Sequence, residues 1–174
     1  IEESGLLMSP IALTDTTPVG LVKDALIQYA LERRGRSSHF LGVVAETWGG
    51  WLNDRDAFHL TRDHVFQALD SAVGGPVPEG NVGGGTPMIC YDFKGGIGTA
   101  SRVVEAGGVS YTVGVLVQAN QGEREQLRVD GVPLGRQLGF DIVPSPWEDS
   151  GDGGWSISGT SSLVGVIATD APLL

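Results

Sequence analysis

Thr160, Ser161 and Ser162 place three hydroxyls in a row at the mouth of an apolar, β-branched run, SLVGVIAT, residues 162–169. They read either as a plain polar strand end or as a nucleophile held at the edge of a core. A nucleophile needs a proton acceptor and donors for the oxyanion that forms. The histidines do not supply the acceptor in readable form. His39 stands apart, His59 and His64 are five residues apart and so do not share a helical face, and no Ser-His-Asp arrangement can be read. No H-x-x-x-H pair occurs, and the one cysteine, Cys90, allows neither an internal disulfide nor a cysteine zinc site. No metal site is expected. Asn120 ends the run VGVLVQAN, where an amide is either a turn former or an oxyanion donor. Glu46 ends FLGVVAET beside Trp48 and Trp51. It is either a strand-end carboxylate turned to water or one withdrawn into an aromatic surround.

Glycines cluster at 74–85, 95–98 and 107–108. Their N–H groups could cradle an anion or simply allow tight turns. No G-x-G-x-x-G is present, and Phe93 before Lys94 rules out a P-loop, so no nucleotide or other cofactor is implied. The net charge of −10 disfavours nucleic acid as a partner. No apolar run is long enough for a membrane span, and no basic-then-apolar leader opens the chain. The beginning, IEESG, reads as the middle of something longer. The compartment stays open between cytoplasm and periplasm.

The elements that must hold these residues follow from periodicity. Residues 10–16 read as a strand. Thr17 then caps a helix with Pro18 in its first turn, and Val22, Leu26, Tyr29 and Ala30 form its inward face until Gly35. Residues 40–47 read as a second strand, and 61–72 as a second helix with Val65, Phe66 and Leu69 inward. The stretch 74–98 reads mostly as loop, with MICYDF a strand inside it. Residues 99–105 and 109–119 flank Gly107-Gly108 as a hairpin, and Asp130-Gly131 marks another turn. Residues 144–158 read as a surface loop and 162–169 as a fully buried strand. One domain is expected, with helices packed on sheets; periodicity alone does not separate a two-sheet sandwich from one open sheet.

Four segments in order, VVAETWGGWLND (43–54), GNVGGGTPMICYDFKGGIGTASR (80–102), VGVLVQANQG (113–122) and SLVGVIATDAPL (162–173), resemble the L-aminopeptidase D-amidase/D-esterase (DmpA-type) family, which includes the β-peptidyl aminopeptidases. The resemblance implies an α/β (α+β) fold, an αββα sandwich like that of N-terminal nucleophile hydrolases. It implies a precursor that cleaves itself. Residues 1–161 are then the α-chain-like portion and 162–174 the start of the β-chain-like portion, within the central part of a larger module. By the family motif S-x-x-x-V-I-A-T-D the nucleophile is Ser162 and Ser161–Ser162 the scissile bond, although Thr160 or Ser161 also offers a hydroxyl. Asn120 matches the oxyanion asparagine, and Glu46 a glutamate of the substrate pocket. Trp48 stands where the family often has an aromatic residue. A serine at a new chain start carries its own amine, partly neutral near pH 7, and needs no histidine. The expected activity is that of a serine aminopeptidase or amidase on short peptides, amides or esters, in a homo-oligomer, by the family a tetramer of αβ units. An acetyltransferase of the related ornithine acetyltransferase type, with a threonine nucleophile, and an inactive structural module are the alternatives.

Overall fold

The structure is a computed structural model and describes residues 7, 9–34, 41–145 and 161–172. Gly35, His39, Thr160 and nearly all of the acidic 144–158 stretch lie outside these residues.

Strand β1 (Ile11–Asp15) pairs in parallel with β2 (Val43–Thr47), in the register Ala12↔Val44 and Thr14↔Glu46. Parallel neighbours require a crossover, and helix α1 (Val19–Arg34) supplies it. The helix starts one residue later than proline placement suggested: Val22 N–H donates to the Pro18 carbonyl at 2.9 Å, so Pro18 precedes the first helical residue. Val22, Ala25 and Leu26 of α1 are buried with Val65, and Ala12, Val44, Phe66 and Leu69 pack around them. Val65, Phe66 and Leu69 belong to α2 (Arg62–Asp70). The Tyr29 and Phe66 rings meet edge to face at 5.1 Å, and the Tyr29 hydroxyl donates to Asp70 at 2.7 Å. Thr61 caps α2 reciprocally with His64, whose Nδ1 accepts from the Thr61 N–H at 3.1 Å.

MICYDF is not one strand. It folds back on itself as β3 (Ile89–Cys90) and β4 (Phe93–Lys94), about a turn in which Tyr91 and Asp92 both have positive φ, 54° and 59°. The glycine run is not loop to its end either, because β5 (Gly96–Ala106) begins inside it. Close backbone approach explains this: a Cβ on Gly85 would lie 2.7 Å from both Gly80 O and Ile97 N. β5 turns at Gly107-Gly108, both at positive φ, into β6 (Val109–Asn120), as expected for a two-residue hairpin. Central β6 also pairs with β7 (Ser162–Thr169), in the antiparallel order β5-β6-β7.

The last strand is not fully buried. Its residues alternate, and Leu163 and Ile167 are 51% and 74% exposed. Among the described residues β7 is an edge strand of its sheet; one face turns to the β1–β2 sheet and the other carries no helix. The seam between the sheets is polar. Fully buried Gln118 of β6 donates through Nε2 to the Thr14 carbonyl at 3.1 Å and to Thr47 Oγ1 at 2.6 Å. Thr47 donates on to Met88 Sδ at 2.7 Å. Helices, then one sheet, then a second sheet make three layers of an αββα sandwich.

Candidate active site

The register of β6 and β7 sets Asn120 directly opposite Ser162. Asn120 is the last residue of its strand and Ser162 the first of the next, so both side chains stand at one end of the sheet, on the face that turns to β2. The Asn120 amide is anchored on both sides. Its Oδ1 accepts from the Ile89 N–H at 3.0 Å; its Nδ2 donates to the Trp48 carbonyl at 2.8 Å and to Ser162 Oγ at 3.0 Å. Those partners determine which end is which, since a backbone N–H needs an acceptor and a backbone carbonyl a donor. One N–H of the amide therefore points at the serine oxygen and the other at the Trp48 carbonyl. The N–H toward Ser162 is no base for it, but it is placed to hold an oxygen that gains charge.

Ser161, exposed, precedes the pair, and its Oγ accepts from the Gly122 N–H at 3.4 Å. Gly122 has a φ of +83°, and a Cβ there would run into the Tyr91 ring, so this position demands glycine. The Trp48 carbonyl is held by a loop built on buried Asp15, whose carboxylate accepts from Gly49 N–H at 2.9 Å and Asn53 Nδ2 at 3.1 Å. The Trp48 ring is half-buried against Gly50, with the Arg55 guanidinium 5.9 Å from its centroid. Trp48 thus touches Asn120 through its backbone. Glu46 lies two residues earlier. Strand alternation turns it toward the helix side, as it turns Val44, and its carboxylate accepts from the Thr16 hydroxyl. No hydrogen bond links Glu46 to Asn120 or Ser162 among the described residues.

Behind the pair, the loop after β6 is pinned by Arg124, 4% exposed. Its guanidinium donates to the carbonyls of Leu138, Val143 and Asp92 at 3.1, 2.5 and 3.2 Å, and lies between the Phe93 and Phe140 rings. Lys94 donates to the carbonyls of Gly85, Met88 and Gly95. Desolvation among them pulls its ammonium below the usual lysine range. Burial pushes the Cys90 thiol up. A cleft of about 520 Å³, lined among others by Asp15, Val22, Phe58, His59 and His64, lies on the helix side and includes none of Asn120, Ser162, Glu46 or Trp48. The convergent hydrogen bonds, and not this cleft, mark the candidate site.

A model of peptidase family S58 matches residues 1–174. The chain belongs to peptidase family S58. This S58 member is 49% identical, over its whole length and 44% of the relative's, to the β-peptidyl aminopeptidase BapA of Sphingosinicella xenopeptidilytica. It is 45% identical to the BapA of Sphingosinicella microcystinivorans, over its whole length and 45% of that protein. A solved β-aminopeptidase from Burkholderia sp. superimposes with a TM-score of 0.82 at 52% identity, over 99% of this chain and 44% of that one. The L-aminopeptidase D-Ala-esterase/amidase of Ochrobactrum anthropi, described as a new variant among the Ntn hydrolase fold, superimposes with a TM-score of 0.79 at 43% identity, over 92% and 42%. The S58 chain therefore has the Ntn hydrolase fold over the part it shares, and it spans less than half the length of each of these relatives.

Of the residues singled out in sequence, the structure brings together Ser162, Ser161, Asn120 and the backbone of Trp48. Lys94 enters the sequence reading only as a lysine that makes no P-loop, and Gln118 and Arg124 are not singled out there. None of the three carries a local signal of its task, and the role of each comes from partners distant in sequence or from backbone carbonyls.

Proposed function

We propose that the protein is a self-processing serine aminopeptidase or amidase that removes N-terminal residues from short peptides, amides or esters. The supporting observation is the 3.0 Å hydrogen bond from Asn120 Nδ2 to Ser162 Oγ, beside the 161–162 peptide bond.

In maturation, Ser162 Oγ attacks the Ser161 carbonyl carbon. The C–N bond breaks, the nitrogen gains a proton as the new amine of Ser162, and the Ser161 acyl group becomes an ester on Oγ. Water then hydrolyses that ester and frees the hydroxyl. From here the Ser162 amine serves as base: it takes the hydroxyl proton as Oγ attacks a substrate carbonyl, and returns a proton to the leaving amine. Asn120 Nδ2 stabilises the oxyanion. The family resemblance supports Glu46 as the group that receives the substrate's ammonium and Trp48 as part of the substrate pocket. Residues 1–161 and 162–174 then belong to separate chains after cleavage. The family resemblance also supports a homo-oligomer, a tetramer of such cleaved units, as the working assembly. The transferase alternative is not favoured, since the matching family model is a peptidase family and the relatives at 45–49% identity are aminopeptidases.

Intact mass and N-terminal sequencing test the reading. A chain beginning at Ser162 is expected, and Ser162→Ala is expected to give one uncut chain without peptidase activity. A new terminus at 160 or 161 would reassign the nucleophile, and full activity in an uncut chain would overturn the mechanism.

A further inference from the structure

Lys94 stands directly opposite Ile89 in the β3–β4 hairpin. Its ammonium has three N–H groups and three carbonyl partners: Gly85 at 3.0 Å, Met88 at 3.0 Å and Gly95 at 2.8 Å. None of the ion pairs among the described residues includes it. Its charge is thus spent on peptide oxygens alone.

One of these peptides reaches the site. The Met88 carbonyl and the Ile89 N–H belong to the same peptide group. The carbonyl accepts from Lys94 and, at 2.8 Å, from the Gly95 N–H. The N–H donates to Asn120 Oδ1 at 3.0 Å, and Asn120 Nδ2 donates to Ser162 Oγ at 3.0 Å. An unbroken line of amides therefore runs from a cation to the serine oxygen. A cation on a peptide oxygen draws electron density from the N–H at the other end, and hydrogen bonds in series strengthen one another. We propose that Lys94 is a positioning residue for the oxyanion donor: through the Met88–Ile89 peptide it orients the Asn120 amide and polarises the N–H that it directs at Ser162. This rests on the role given above to Asn120 and Ser162.

The test is a double-mutant cycle in the protein as naturally made, with rates normalised to the fraction of cleaved chains found by intact mass. Lys94→Met keeps the aliphatic stem and loses the charge. Its kcat is expected to fall about tenfold at unchanged KM, a part of the roughly 10²–10³-fold that one oxyanion donor is worth. Lys94→Arg, which keeps the charge, is expected to recover most of the loss. Lys94→Met combined with Asn120→Ala is expected to be no slower than Asn120→Ala alone, because Lys94 has nothing left to act through. Where a variant stalls before cleavage, the cycle is read on the rate of breakage at 161–162. If Lys94→Met does not fold, Lys94→Gln takes its place. In uncut Ser162→Ala protein, the Asn120 side-chain N–H resonances are expected to move upfield when Lys94 is neutralised, a shift that mere loop support would not cause. Additive losses, an Arg variant as slow as the Met variant, or unmoved Asn120 resonances would overturn the proposal. Wild-type kcat in Asn120→Ala would instead overturn the role of Asn120 itself.

Discussion

A polar side chain at a strand end has no inherent task; its partners assign one. Asn120 could have closed a turn. Instead its oxygen is taken by Ile89 and one of its N–H groups by Trp48, which leaves the amide no freedom to rotate and one N–H aimed at Ser162. Glu46 is held more loosely, half-buried with the Thr16 hydroxyl as donor. If it receives the substrate ammonium, the charge matters and the shape does not. Glu46→Gln keeps an acceptor for Thr16 and removes the charge. A hydrogen bond to a charged partner is worth about 1.5–3 kcal/mol, so KM for an aminoacyl anilide is expected to rise about tenfold or more, with kcat within about twofold. Steady-state kinetics check this, and an unchanged KM removes Glu46 from substrate binding.

At the scale of elements, the turns and loops behind the pair carry the precision. Arg124 satisfies three carbonyls on three segments from a buried position. Arg124→Met would leave them unpaired at about 1–3 kcal/mol each, so a stability loss of at least about 3 kcal/mol is expected in urea unfolding. Glu79 ties the loop before β5 to that strand: its carboxylate accepts from the Thr99 hydroxyl and from the Thr99 N–H, both within 2.8 Å. These bonds, the hydroxyl's first, hold its pKa below the ordinary value. A lowered folded pKa stabilises above the unfolded carboxylate value and stops doing so as pH falls through the folded value. Wild-type protein is therefore expected to lose more of its urea midpoint between about pH 6 and pH 3 than Glu79→Gln does. Much at this scale could be read in advance. The spacing of Val22, Leu26 and Ala30, and the Gly107-Gly108 turn, gave the long helix and the hairpin. The Tyr91-Asp92 turn could not be read, because a tyrosine at the first positive-φ position and no glycine after it make no recognisable turn signal. Nor could the start of β5 within a glycine run, where backbone packing against Gly80 and Gly85 overrides composition. The candidate site was visible as residue types. That Asn120 and Ser162 meet is a matter of register across 42 residues, which local pattern does not encode.

On the scale of the molecule, the two faces of the β5-β6-β7 sheet differ in kind. Gln118, Asn120 and Ser162 share the inner face by alternation, and there polar groups join the sheets. The outer face takes the intervening residues. Val104, Val109, Val115, Leu163 and Ile167 lie on it, 36% to 74% exposed. The continuous apolar pattern of β7 led sequence reading to a strand buried on both sides, and the structure shows why the pattern is continuous while the burial is not: both faces are apolar, and one is bare among the described residues. An apolar patch of this kind binds hydrophobic dyes and associates when left open. The 174-residue chain by itself is therefore expected to bind such a dye in its folded state and to self-associate as its concentration rises. Leu163→Lys combined with Ile167→Lys, on the edge strand, is expected to lower both effects while leaving the far-ultraviolet circular dichroism unchanged. Light scattering and dye fluorescence read the result. A monodisperse, dye-silent wild-type chain would mean that this face is closed in solution.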